Sequence, residues 1–214
     1  GSNARTQIDV SGTIDTSGVG SNGVEIVYAD LTMGGMPSAA SMDPGTDLNI
    51  SVDGAVAVTG ADSSGINVYL EDGRSTEINI LQGGNVTATG ADGYGIYVSA
   101  GNAGGSAVAD AIINVAQGAV VSSQQDEAIG EGVAANPGVV TTTLTIAGEV
   151  SSGGNKAVAL GDGDDTVILL PTYNINAEID LGTNGFNLFV LDGAAGTTGN
   201  IFFLQGSNQI ATGV

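Results

Sequence analysis

The chain repeats itself. Residues 48–70 and 78–100 align without a gap at an offset of 30. Self-similarity at a fixed period of this size restricts a chain to architectures built by stacking one small unit on the next. Leu48, Ile50, Val56 and Val58 match Ile78, Ile80, Val86 and Ala88. Gly54 matches Gly84, Gly60-Ala61-Asp62 matches Gly90-Ala91-Asp92, Gly65-Ile66 matches Gly95-Ile96, and Val68 matches Val98. A third copy begins at Ile113 and Val115, with Gly118 and Val121, and a shorter one at Leu144 and Ile146, with Gly148 and Val150. The opening Ile8, Val10, Gly12 and Ile14 repeat that shorter form.

Each unit holds three short apolar-alternating stretches with glycine at the corners. In the clearest unit these are Ile78-Asn79-Ile80, Val86-Thr87-Ala88 and Ile96-Tyr97-Val98. Period-two alternation, β-branched residues and glycine breaks are strand signals. Gly or Asn interrupts every candidate helical window, which argues against helix. Aromatic residues make up only 4% of the chain against 42% hydrophobic overall, so the inward layers are narrow and aliphatic. One unit carries too few apolar side chains to bury a face alone, and so the units must stack. Three strands per turn, stacked in register, define an all-β parallel β-helix, a solenoid with short loops between coils. Seven or so coils would give a stack of roughly 34 Å. The expected inward ladders include Ile50/Ile80 and Ile66/Ile96, with glycine supplying the positive φ of sharp corners. An antiparallel β-sandwich would show hairpin turns in place of 30-residue self-similarity.

Residues 1–4, Gly-Ser-Asn-Ala, read as a cloning scar. Residues 5–214 read as a single β-helix domain with loop insertions near 29–47, 100–110 and 123–138. The first insertion contains Met33, Met36, Met42, Pro37 and Pro44, and the third contains Asp126, Glu127 and Glu131. Gly163/Asp165/Val167 recurs as Gly185/Asn187/Phe189 at an offset of 22, which marks shorter coils toward the end. Phe189, Phe202 and Phe203 are expected to help seal the stack.

Charge and composition exclude several function classes. The chain has 23 Asp+Glu against 3 Lys+Arg, for a net charge of -20. Such a surface repels nucleic acid and anionic membranes. The absence of His and Cys removes zinc sites, cysteine nucleophiles and Ser-His-Asp triads. No apolar run approaches the ~18 residues that a membrane helix requires.

Two acidic motifs and one aromatic strip remain as candidate sites. Asp62 and Asp92 share one repeat position. Coils stacked in register would bring them roughly 4.8 Å apart, a spacing that fits the two carboxyls of a retaining glycosidase. The same placement fits a solvated turn ladder. The segment Gly161-Asp162-Gly163-Asp164-Asp165-Thr166-Val167 resembles the calcium-binding nonapeptide repeat of RTX proteins, which uses Asp as a hard oxygen ligand. Those sites need tandem copies, whereas here Asn187 stands at the next Asp position. The plainer reading is an acidic corner, and no metal ligand or cofactor is assigned. Tyr69, Tyr94 and Tyr97 fall in or beside the third strand of adjacent units. Tyr69 and Tyr97 are expected to face outward while Val68, Ile96 and Val98 face in.

The repeating Gly-x-Val-x-(Ser/Thr/Ala) followed by Gly-(Ile/Val)-x-Val occurs at Gly54–Val68 and Gly84–Val98, and Gly161–Leu169 closes the series. Together these segments resemble bacterial autotransporter passenger domains. The resemblance implies a right-handed parallel β-helix displayed on the exposed side of a Gram-negative outer membrane, or secreted from it. It also implies a C-terminal outer-membrane β-barrel in a full-length parent. Passengers of that family include adhesins, proteases and esterases. No Gly-x-Ser-x-Gly elbow is present here, and so the expectation is a non-enzymatic adhesin or display stalk whose partner is a host or neighbouring-cell protein or glycan. A carbohydrate-active β-helix using acidic residues and an RTX-like calcium module are the alternatives.

Overall fold

The computed structural model describes residues 6–28, 48–71, 73–101, 108–133, 139–192, 204–205 and 208–212. The leading residues 1–4, the insertion 29–47, and Phe202 and Phe203 lie outside the described residues. Every described element is a β-strand. The first coil is β1 (Thr6–Val10), β2 (Thr13–Thr16) and β3 (Val24–Tyr28). The second is β4 (Leu48–Val52), β5 (Ala55–Val58) and β6 (Ile66–Glu71). The third is β7 (Ser75–Ile80), β8 (Asn85–Ala88) and β9 (Ile96–Gly101). The fourth is β10 (Val108–Val115), β11 (Val120–Ser123) and β12 (Ile129–Val133). The fifth is β13 (Val139–Ile146), β14 (Glu149–Ser152) and β15 (Lys156–Ala159). The sixth is β16 (Thr166–Leu169), β17 (Asn174–Ile175) and β18 (Glu178–Asp180). Then follow β19 (Asn187–Leu191), β20 (Leu204–Gln205) and β21 (Asn208–Thr212).

Up to β19, strands three apart in sequence stack; after that β18 pairs with β20 and β19 with β21. One sheet runs β1-β4-β7-β10-β13-β16-β19-β21, a second β2-β5-β8-β11-β14-β17, and a third β3-β6-β9-β12-β15-β18-β20. All the pairings are parallel, and the chain is therefore a parallel β-helix. The two later insertions are narrower than expected. Strand β9 runs to Gly101, β10 starts at Val108, and β12 occupies Ile129–Val133 inside the segment read as a loop.

The core is a set of aliphatic ladders. In the first sheet Ile50, Ile78, Ile113, Leu144 and Val167 stand one above another, followed by Phe189. All are fully buried. Val56, Val86, Val121 and Val150 form the ladder of the second sheet. Ile66, Ile96, Ile129, Val158 and Ile179 form that of the third. Each such rung is worth ~1.5–3 kcal/mol over its exposed state.

One expected ladder is out of step. Ile50 faces Ile78, and Ile80 faces Val52, whereas the uniform offset of 30 had paired Ile50 with Ile80. The second and third sheets do keep that offset, as Val56 facing Val86 and Ile66 facing Ile96 show. The difference is absorbed at one corner. Only Asp53 and Gly54 separate β4 from β5, but residues 81–84 separate β7 from β8. The longer corner turns through Gly83 at φ 88°.

Candidate functional site

Asp62 and Asp92 do fall at one corner of adjacent coils, and both are exposed. Both hold left-handed backbone, at φ 55° and 53°, and no other described non-glycine residue has a positive φ. The Asp62 N–H donates to the Ala91 carbonyl at 2.8 Å. Aspartate tolerates this conformation better than most side chains, and that accounts for the residue type at the repeat position. Glycine supplies the positive φ at other corners, such as Gly20, Gly83 and Gly118, but at this corner the turn residue is the aspartate. The preceding glycine is needed for space, because a Cβ on Gly90 would overlap the Gly60 carbonyl.

The Gly161–Val167 motif sends its acids in different directions. Asp162 and Asp164 are exposed and Asp165 is fully buried. Asp164 Oδ1 accepts the Phe186 N–H at 2.8 Å. Asp165 Oδ1 accepts the Thr142 N–H at 2.8 Å, and the Asp165 N–H donates to Asn187 Oδ1 at 3.0 Å. Thr142, Asp165 and Asn187 therefore form a buried polar column in which the Asp165 and Asn187 side chains each cap the backbone N–H of the coil before. Asn187 keeps the acceptor oxygen of an aspartate, which is why the exchange is tolerated. Among the described residues, no three Asp, Glu, His or Cys side chains form a metal-holding group.

A second acid joins this column from a segment read as loop. Glu131 on β12 stands level with Val98 of β9, so a carboxyl occupies a position where the preceding coils carry a methyl-bearing side chain. The Thr142 hydroxyl donates to Glu131 Oε1, and the Gly161 N–H donates to Glu131 Oε2 at 2.9 Å. Burial, and then the charge of Asp165, pushes the Glu131 carboxyl far above the usual carboxylate range. Burial also raises Asp165, against the lowering effect of the Thr142 N–H, with Asp164 and Asp162 adding to the rise.

On the outer face of the third sheet, the tyrosines lie across glycines of the next coil. Tyr69 covers Gly101, Tyr94 covers Gly130, and the Tyr97 hydroxyl sits over Gly132. The Tyr94 and Tyr97 rings are 4.7 Å apart and tilted by 40°. Tyr69 and Tyr97 face outward as expected, each half-buried, between the buried Val68, Ile96 and Val98.

This strip ends at a shallow pocket of about 290 Å³ lined by Gln125, Asp126, Glu127, Gly154, Asn155 and Lys156. Burial, followed by the charges of Asp126 and Glu127, raises the Tyr94 hydroxyl above its ordinary range. Burial and the Asp126 side chain push Glu127 up to about 7. Lys156, isolated in sequence, pairs with Asp180 at 2.6 Å. That contact raises the lysine, against the opposing effect of burial. The pocket was not foreseen from sequence. Its residues come from two corners about thirty positions apart, and only the stacking register brings them together.

No protein-family model, curated protein or solved structure matches the chain. What defines its class is the geometry: a parallel β-helix with an acidic, tyrosine-bearing outer face.

Proposed function

We propose that the chain is a non-enzymatic β-helical passenger segment of the autotransporter type, displayed at a Gram-negative cell surface or secreted, which adheres to a protein or glycan of a host or neighbouring cell. In this reading a C-terminal outer-membrane β-barrel carries it in the full-length parent. The observation that supports adhesion is the outer face of the third sheet, where Tyr69, Tyr94 and Tyr97 run toward the polar pocket at Asp126, Glu127 and Lys156. Half-exposed tyrosines offer apolar area with a polar tip, and neighbouring carboxylates and amides can take the hydroxyls of a sugar or the polar groups of a peptide. Asp62 and Asp92 are already accounted for as corner residues.

The same pocket favours a second reading, a carbohydrate-active β-helix. Its acid would be Glu127, whose raised pKa suits proton transfer near neutrality. Incubation with a glycan panel separates the two. Adhesion expects retention without bond cleavage, weakened by Tyr97→Ser. Glycan cleavage that is lost in Glu127→Gln, with the fold intact, would replace adhesion by the enzymatic reading.

A further inference from the structure

We propose that Glu131 and Asp165 hold one proton between them and act as a pH-dependent latch, joining the third strand of the fourth coil to the corner that opens the sixth. The geometry carries the argument. Thr142 touches both acids, its hydroxyl on Glu131 Oε1 and its N–H on Asp165 Oδ1. The Gly161 N–H takes the other oxygen of Glu131, so the corner at 161–165 is tied to β12 and β13 through these two side chains. Asp165 is fully buried, and its Oδ2 has no hydrogen-bond partner. The charged groups acting on the pair are all acidic: Asp165 on Glu131, and Asp162 and Asp164 on Asp165. Two inward carboxylates, with no cation among the described residues acting on them, cannot both ionise without large cost. A proton on one turns an unpaired acceptor into a donor. The pair then titrates as a unit, and no single value belongs to either residue.

The direction of the pH effect follows. Both carboxyls are raised in the folded chain, so the folded state binds more protons than the unfolded state between the ordinary carboxylate range and about pH 8. Stability contributed at this site is full below about pH 4 and falls as pH rises through that window. An alkaline shift thus loosens the corner at 161–165, while acid tightens it.

The test compares the intact chain with Asp165→Asn and Glu131→Gln. Asn already occupies the next rung of the column at Asn187, so Asp165→Asn is expected to fold, and Glu131→Gln serves as an independent second variant. Chemical denaturation between pH 5 and pH 8 reads the linkage. The variants are expected to lose up to about one proton from the pH slope and to gain stability relative to the parent at pH 8. Subtracting their profiles removes the general repulsion of the acidic surface. Infrared difference spectra at pH 7, taken as parent minus variant so that the contribution of Glu127 cancels, are expected to show a protonated carboxylic acid band of the parent that is weaker in both variants. An unchanged pH slope in the variants, or no such band in the difference at pH 7, would overturn the proposal.

Discussion

Gly90→Ala should be among the more damaging small substitutions in this chain, and Gly12→Ala among the most harmless, although both glycines sit at corners. A Cβ on Gly90 would overlap the Gly60 carbonyl oxygen and come within 2.9 Å of the Ala61 nitrogen, which is backbone and cannot rotate away. The two corners are also held together on either side of the clash. Thr89 N–H donates to the Val58 carbonyl at 2.9 Å, and Asp62 N–H to the Ala91 carbonyl at 2.8 Å. Relief therefore requires the second and third coils to part locally. Overpacking of this kind costs ~1–3 kcal/mol, and a lost backbone hydrogen bond adds ~0.5–1.5 kcal/mol. About 2–4 kcal/mol is expected in total, or a fall in Tm of roughly 5–15 °C for a chain of this size. A Cβ on Gly12 would meet nothing within 4 Å, and Gly12 does not have a left-handed φ. Its replacement should leave the fold unchanged or stabilise it by ~0.4–1 kcal/mol through the unfolded chain. An interior interface is the right place for the damaging variant, because a clash against an end coil could be relieved by peeling that coil alone. Calorimetric melts of the two variants beside the parent settle it. Equal shifts, or a harmless Gly90→Ala, would show that coil-to-coil contact is not what demands glycine at these corners.

Three further outcomes follow from the same geometry. Asp62→Gly and Asp92→Gly should each raise stability by ~1 kcal/mol by relieving left-handed backbone, as read by urea denaturation, and a loss would mean that the carboxylates themselves are needed. Tyr97 and Gly132 should be coupled: Gly132→Ala is expected to destabilise the parent but to cost less than half as much in a Tyr97→Ala background, and additive effects in that double-mutant cycle would refute the covering of Gly132 by the Tyr97 hydroxyl. With a net charge of -20, added salt should raise Tm by screening, and calcium should do no more than sodium chloride at matched ionic strength. A large calcium-only rise removed by Asp164→Asn would restore a specific cation site at the Asp162–Asp165 corner.

The coil was legible because period-two alternation and the 30-residue offset are properties of sequence alone, and they put Ile66 over Ile96 and Val56 over Val86 without any knowledge of corners. The first sheet was misread by two residues for a physical reason. Alignment without gaps assumes equal corners, but backbone can store extra residues in a turn such as 81–84 at little cost while the ladder on either side stays in register. Glu131 was hidden by the opposite problem. A charged residue at an inward position breaks the apolar alternation that identifies a strand, so Ile129–Val133 read as loop although its neighbours Ile129 and Gly130 pair with Ile96 and Tyr97. Lys156 was hidden because its partner Asp180 lies in the next coil, and proximity along the stacking axis is invisible until the register is known. Sequence periodicity therefore reveals the positions that repeat, whereas the groups with unusual chemistry, Glu131 and Lys156, sit where the repeat is broken. In a β-helix, then, Tyr97 and Asp165 are legible because they sit at repeat positions while Glu131 is legible only as a break in one, and a carboxyl standing in a valine column marks a position whose chemistry, and not whose packing, has to explain why it is there.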